Sequence, residues 1–260
     1  MINIVHGKIP KWYDKECHYE EASYQDSPNA IATNRLIEKI LKKYKVKSVI
    51  DLTCGTGSQV FWLLGHGFHV VGSDISRGML GIAKKKAKLA KSRVKLLHGD
   101  MRKIKVGKFD SAITIFNAIG HLTKKDFEKT MRNIHANLNE GGIYIFDILN
   151  LNYVRHRDNI VKMSYEWMKT QGDTKLRVIQ HSIIDDRGIL ISLTHSYTQK
   201  DLGKLHMSKN VITLQLYTAD ELKAMLVKNG FKVLEQIGMD GKKFSNVKTD
   251  RILTVAQKSG

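Results

Sequence analysis

Between residues 46 and 149, apolar positions come in blocks rather than in simple alternation. Short runs that are almost wholly apolar ("SVIDL", "FHVVGSD", "RVKLLHGD", "FDSAITIF" and "GGIYIFDIL") are separated by stretches where apolar residues recur every three or four positions. A strand covered on both faces reads as a continuous apolar run, because both sets of alternating side chains meet a layer of structure. The intervening spacing is that of amphipathic helices. The pattern predicts helices over 30–44 (Ile31, Leu36, Ile37, Ile40 and Leu41 inward), 59–64, 76–91 and 125–138, and with them an α/β fold. In the helix over 76–91, Leu80, Ala83, Ala87 and Ala90 form the inner face, while Lys84, Lys85, Lys88 and Lys91 point to solvent.

Past residue 150 the pattern changes. "KLRVIQHSIID", "GILISLTHSYTQ" and "LHMSKNVITLQLY" are strand-like runs, the first two joined at Asp185-Asp186-Arg187-Gly188, as in an antiparallel meander. A helix then starts at Thr218, with Glu221 three residues on, and stops at Gly230. "FKVLEQIG" and "RILTVAQK" close the sheet as a hairpin-like pair. The expected organisation is one domain over 1–260: an N-terminal lid and helix (1–45), a cofactor-binding core (46–150), an antiparallel substrate platform (165–217), and a final helix with its strands (218–258).

Composition adds exclusions. Among 260 residues, 42% are hydrophobic and 26% charged, ordinary values for a globular protein. No apolar run approaches the ~18 residues of a membrane span, and "MINIVHGKIPKWYDKE" lacks the apolar core of a secretory signal. Cys17 and Cys54 provide neither a disulfide framework nor zinc spacing. A cytoplasmic protein with no membrane partner and no metal is expected. The net charge of +18 raises a nucleic-acid partner. The lysines are scattered along the chain, however, and nucleic-acid surfaces concentrate charge on one face.

Candidate chemistry begins at "VIDLTCGTGSQV", where a buried strand ends in Asp51 and opens into Gly55-Thr56-Gly57. A dinucleotide turn needs a third glycine where this chain has Val60, and a carboxylate at the strand end repels a pyrophosphate. A cofactor with an ammonium and no phosphate suits Asp51 instead. Asp74 ends the second strand, where a carboxylate accepts ribose hydroxyls. After the third strand, Asp100 is placed to accept from an adenine amino group and Met101 to offer its backbone amide; Ile75 and Met79 provide apolar faces for the ring. Asn117 closes the fourth strand.

These motifs, with "GSDISRGML", "LHGDMRKI", "FDSAITIFNAIGHL" and "LNEGGIYIFDILN", resemble those of the class I S-adenosylmethionine-dependent methyltransferases. The resemblance implies a Rossmann-like, seven-stranded, mostly parallel sheet whose last strand is antiparallel. It also implies S-adenosylmethionine as cofactor, with Tyr13, Asp51, Thr53, Gly55, Gly57, Asp74, Ile75, Met79, Asp100, Met101, Phe116 and Asn117 around it. The platform, "NAIGHL" and "VITLQLYTADEL" are similar to the small-molecule N-methyltransferases, especially the amino-sugar N,N-dimethyltransferases and less closely the glycine and sarcosine enzymes. The histidine matching the one beside the substrate amine is His121, and the family's N-terminal "YD" pair matches Tyr13-Asp14, with Tyr24 as a rival tyrosine. Tyr24, His195, Tyr197 and Tyr217 are the acceptor-side candidates. Asn117 is followed by Ala118-Ile119-Gly120, not by the two prolines and aromatic common in base-modifying enzymes. The implied reaction is methylation of a small-molecule amine by a monomer or homodimer. The alternatives are an O- or C-methyltransferase, or an RNA-directed enzyme that uses the positive charge.

Overall fold

Apolar strands need a cover on each side, and the computed structural model, which describes residues 6–7, 11–15, 27–171 and 173–260, supplies both. The main sheet has seven strands: β1 (Ser48–Asp51), β2 (His69–Asp74), β3 (Lys95–His98), β4 (Phe109–Thr114), β5 (Leu138–Leu149), β10 (Phe231–Gly238) and β11 (Arg251–Lys258). Their order is β10-β11-β5-β4-β1-β2-β3. The pairs from β5 to β3 are parallel, and β11 runs antiparallel to both of its neighbours.

Alternation along each strand sends side chains to two cores. Val49, Val70, Ile113, Ile145 and Val255 pack with Ile37 and Leu41 of α2 (Pro28–Lys43), Val60 and Leu63 of α3 (Ser58–Gly65) and Leu80 of α4 (Arg77–Leu89). Ile50, Ala112, Tyr144, Phe146 and Ile148 pack on the other side with Phe127, Met131 and Ile134 of α5 (Lys124–Asn137) and Leu222 and Leu226 of α7 (Ala219–Lys228). Burying a side chain of this size contributes about 1.5–3 kcal/mol, so two continuous cores fix which way each strand faces. A one-residue slip would exchange the two sets.

Local signals set the helix ends. Ser27 accepts from Ala30 N at 3.2 Å and Pro28 opens α2, two residues before the start expected from periodicity. Thr218 accepts from Glu221 N at 3.1 Å, as the capping pattern required. In α4 the inner face is Leu80, Ala83 and Ala87, whereas Ala90 caps the helix and is exposed.

The second sheet is antiparallel in the order β6 (Tyr165–Gln171), β7 (Thr174–Ile184), β8 (Ile189–Lys200), β9 (His206–Gln215). It has one strand more than the hydrophobic pattern indicated. The extra strand, "YEWMKTQ", is an edge strand whose apolar residues are interrupted by Glu166 and Lys169. One end of this sheet is anchored by Leu190 and Leu214, which pack with Leu151 and Val154 of α6 (Leu151–Arg155). Met168, Ile183 and Met207 are exposed.

In the main sheet β1 lies between β2 and β4, so successive connections leave it in opposite directions. Ligands of open α/β sheets bind at such a point, outside the carboxyl ends of the strands.

Candidate active site

Asp51 closes β1 at 1% exposure, and one of its carboxylate oxygens accepts from Thr53 N at 3.1 Å. Gly55 and Gly57 both have left-handed backbones (φ +53° and +95°), which the turn into α3 demands and which a side chain resists. A β-carbon on Gly55 would lie 3.3 Å from Met79 Cε, so the glycine also keeps the floor of the turn open. Asp74 at the end of β2 accepts from Gly55 N and Ser76 N, each at 2.8 Å. One carboxylate thus ties the glycine turn to the start of α4 and keeps a second lone pair on each oxygen for a ligand. Burial pushes the Asp51 carboxyl up to about 7, and the nearby Asp74 charge adds to the effect. Burial also raises Asp74. The Thr53 hydroxyl is buried without a partner among the described residues. Two acids held this way suit a ligand that brings positive charge and hydroxyl donors.

The exit of β4 is built differently. Phe116 and Asn117 are consecutive non-glycine residues in the left-handed region (φ +64° and +58°), a combination that costs free energy and clusters at functional sites. Asp147 on β5, fully buried, holds them there. It accepts from Phe116 N at 2.6 Å and from Asn117 N at 3.2 Å, and it is ion-paired with Arg251 of β11. Asn117 Oδ1 accepts from Leu149 N at 2.9 Å, so that side chain is turned to the sheet rather than to a ligand. Sequence reasoning missed Asp147 and Arg251, which lie 104 residues apart in the chain.

The tight turn Ala118–His121 follows. His121 is 9% exposed, and its Nε2 lies 3.0 Å from the Tyr13 hydroxyl. Burial, with a smaller contribution from His6, pulls His121 down to about 4, so the ring is neutral at physiological pH. Helix capping does not occupy it: α5 is capped by Thr123, whose hydroxyl accepts from Asp126 N at 3.1 Å. Next to Tyr13, Asp14 accepts from the Ser76 hydroxyl at 2.7 Å and from Gly78 N at 3.0 Å. The strands β2 and β4 are separated by β1, a distance of about 10 Å. Two adjacent residues therefore reach opposite banks of β1. His6, not anticipated from the sequence, has Nδ1 3.4 Å from the Thr213 hydroxyl on β9.

Several expected site residues have other surroundings. Asp100 is not a free carboxylate: Arg102 holds both of its oxygens at 2.7–3.0 Å and reaches Asp126 at 3.0 Å. Met101 is buried, with its carbonyl accepting from Asn133 Nδ2 at 3.0 Å, while Ile75 and Met79 remain half-buried beside the glycine turn. Tyr217 is fully buried in the core, its ring 5.6 Å from Phe127, and its hydroxyl has no partner among the described residues. His195 and Tyr197 pair across β8 with Lys209 and Met207, whereas the Thr213 that meets His6 pairs with Ile191. At ~3.3 Å per residue this sets Tyr197 about 20 Å from that end of the strand. Tyr24 lies outside the described residues. Among the described residues no group of three or more His, Cys, Asp or Glu is arranged to hold a metal, and no helix is long and apolar enough to cross a membrane.

Comparison with known proteins adds identity to this geometry. Residues 49–142 match the family model for a methyltransferase domain. A Geobacillus sp. protein provisionally named a methyltransferase is 26% identical over 259 residues, covering 95% of this chain and 97% of its own. The glycine/sarcosine N-methyltransferase of Parasynechococcus marenigrum is 29% identical over 156 residues, 54% of this chain and 55% of that protein. An S-adenosylmethionine-bound amino pentose methyltransferase from Micromonospora echinaspora shares the fold, with a TM-score of 0.73 at 17% identity over 98% of this chain and 100% of that one.

Proposed function

We propose that this protein, a class I S-adenosylmethionine-dependent methyltransferase, transfers the methyl group to the amine of a small molecule. The observation that carries the acceptor reading is a neutral, buried histidine, His121, hydrogen-bonded to Tyr13 at the exit of β4, across β1 from the ribose-side carboxylate. The N-methylating relative supports it.

S-adenosylmethionine supplies, when bound, a methyl group on a sulfonium that is open to in-line attack. Asp51 would hold the ammonium of the amino-acid tail, with the Thr53 hydroxyl in the same turn. Asp74, whose two oxygens accept from Gly55 N and Ser76 N, would accept from the ribose hydroxyls with its remaining lone pairs. Ile75 and Met79 would flank the base, and Gly55 would let the backbone approach. Asp100, held by Arg102, would accept from the adenine amino group only with its remaining lone pairs. An attacking amine must be neutral, and His121, which burial keeps neutral and weakly basic, can hydrogen-bond the amine and orient its lone pair rather than take its proton. Tyr13 fixes the ring by its hydrogen bond to Nε2. Positioning of this kind supplies up to roughly 7–11 kcal/mol of a barrier in favourable cases.

The positive charge does not by itself favour an RNA acceptor. Lys43, Lys124, Lys228 and Lys258 are paired with Glu235, Glu221, Glu128 and Glu140. The test is methyl transfer from labelled S-adenosylmethionine to glycine, sarcosine, an amino-sugar nucleotide, hydroxy acids and RNA, with products identified by mass. An N-methylated small molecule is expected. Methylation of RNA or of hydroxyl compounds alone overturns the amine reading.

A further inference from the structure

The mechanism leaves the net charge of +18 unused. By position in the chain the lysines are dispersed, yet residues 84–108 carry eleven Lys and Arg against one acid, Asp100, so a tenth of the chain holds more than half of that charge. The fold brings them to one edge. Lys84, Lys85 and Lys88 lie on the outer face of α4 and Lys91 just past its end, and α4 packs on β2 and on β3, the edge strand of the main sheet. Arg93 and Lys95 follow at the start of β3, and Lys103 and Lys105 in the connection to β4. All eight are exposed, and none has a carboxylate partner among the described residues. The other three are engaged: Lys86 Nζ donates to the Thr56 carbonyl, Arg102 grips Asp100, and Lys108 Nζ donates to the Leu138 carbonyl. Between the starts of β2, β3 and β4 opens a cleft of about 420 Å³. Val70, Val106 and Phe109 are its apolar floor, and His69, Arg93 and Lys95 its exposed rim.

We propose that this edge is a docking surface for single-stranded nucleic acid, with phosphates along the α4 lysines and an unstacked base over the cleft. Lys84, Lys88 and Lys91 recur along one helix face over ~10 Å, and Arg93 and Lys95 continue the line, which suits a chain of regularly repeated charges. An apolar cleft beside such a line takes a base that a duplex would keep stacked. Other occupants fit less well. Leu89 is the one large apolar side chain exposed among the described residues 84–108, too little for a helix that inserts into a membrane. The cores of protein interfaces are poor in lysine. Protection of an edge strand from pairing needs a charge on the strand itself, which Lys95 provides, and not a row of them on the covering helix. Like charges one helical turn apart repel, so the row has a cost that an anion would remove. The cleft lies at the amino ends of the strands. Asp74, at the other end of β2, is about 16 Å from His69 at ~3.3 Å per residue. The bound strand is therefore a tether held away from the methyl-transfer site, and the proposal holds for any small-molecule acceptor.

The test uses the whole protein and fluorescence anisotropy with an oligouridylate and an oligothymidylate of about 15 nucleotides, and a duplex of the same length. Both single strands are expected to bind, and binding to weaken steeply from about 50 to 200 mM salt, by ~0.7 in the log–log slope for each phosphate engaged. Binding of one strand and not the other still supports the proposal and tells RNA from DNA. In the variant Lys84→Gln, Lys88→Gln, Lys91→Gln, Arg93→Gln, affinity should fall at least about tenfold, with a shallower slope. A control with the same change of charge on the second sheet, Lys175→Gln, Lys200→Gln, Lys204→Gln, Lys209→Gln, should stay within about twofold of wild type, because charges beyond a Debye length are screened. Affinity for S-adenosylhomocysteine should be unchanged in both, which shows that they are folded. Equal losses in the two variants would mean attraction by net charge alone and overturn the proposal. So would a duplex bound as tightly as the single strands, no binding to either single strand at low salt, or binding to phosphatidylserine vesicles in place of the oligonucleotides. Methyl transfer to the bound strand would also overturn it, because the strand would then reach the site.

Discussion

The two banks of the active-site mouth are made in opposite ways. On one bank Asp51, Gly55, Asp74 and Ser76 fall within 26 residues and are tied together by hydrogen bonds to backbone amides. On the other, the Tyr13–His121 contact spans 108 residues and the His6–Thr213 contact spans 207. The first bank is local: strand end, turn and helix start place the acids through contacts no more than 19 residues apart. The second exists only once the N-terminal segment, the β4 exit and the platform have met. On the proposed reading, the cofactor is served by the local bank and the acceptor by the assembled one.

That division is broken most directly at His121. His121→Ala should lower kcat by about 10²-fold, the cost of a lost orienting contact, while leaving S-adenosylhomocysteine affinity close to wild type by calorimetry. A matching loss of cofactor affinity would show that the banks are not separable. Asp74→Ala is the converse. Two hydroxyl contacts at about 1.5 kcal/mol or more each correspond to a loss of cofactor affinity on the order of 10²-fold. The variant's circular dichroism should remain folded, and unchanged affinity would reduce Asp74 to a brace between Gly55 and Ser76.

A subtler sharpening comes from pH. Asp51 ionises near 7 when only protein surrounds it, and a ligand ammonium favours its ionised form. Binding therefore draws a proton off Asp51. Affinity for S-adenosylhomocysteine should rise with pH up to about 7 and fall by up to about tenfold for each unit below it. Asp51→Asn should bind weakly at every pH and lose this slope; a wild-type affinity flat from pH 5 to 8 would contradict the assignment. The smallest effect is expected on the platform. His195→Ala and Tyr197→Ala should leave kcat and KM within about twofold, the range of substitutions that touch nothing critical. A tenfold change in KM for the acceptor would return the middle of the second sheet to the site.

What was legible in the sequence follows the same division. Strand runs such as "SVIDL" and "FDSAITIF" announce their burial because both alternating sets are apolar, and Thr218 with Glu221 announces a helix start because the cap is made within one turn. Asp51 and Asp74 were readable for the same reason: a carboxylate closing an apolar run has an address in the chain. Arg251 has none. It is one more basic residue among 43, and only the register of β11 on β5 sets it against Asp147. His6 and Thr213 carry no periodic or spacing signal, since their meeting depends on how the second sheet docks. Tyr217, His195 and Tyr197 were named by residue type within a strand, and type does not say which stretch of a long strand meets the core.

The paired left-handed residues after β4 bear on how this scaffold can be engineered. Phe116 and Asn117 each forgo roughly 1–2 kcal/mol of backbone preference. Glycine at either position would recover part of that and raise the melting temperature. It would also remove the Phe116 ring from under the Arg251 guanidinium, 5.9 Å away, or the Asn117 carbonyl that accepts from Leu149 N. Selection for thermostability alone would therefore enrich glycine at 116 and 117, and the variants it favoured would hold His121 less firmly.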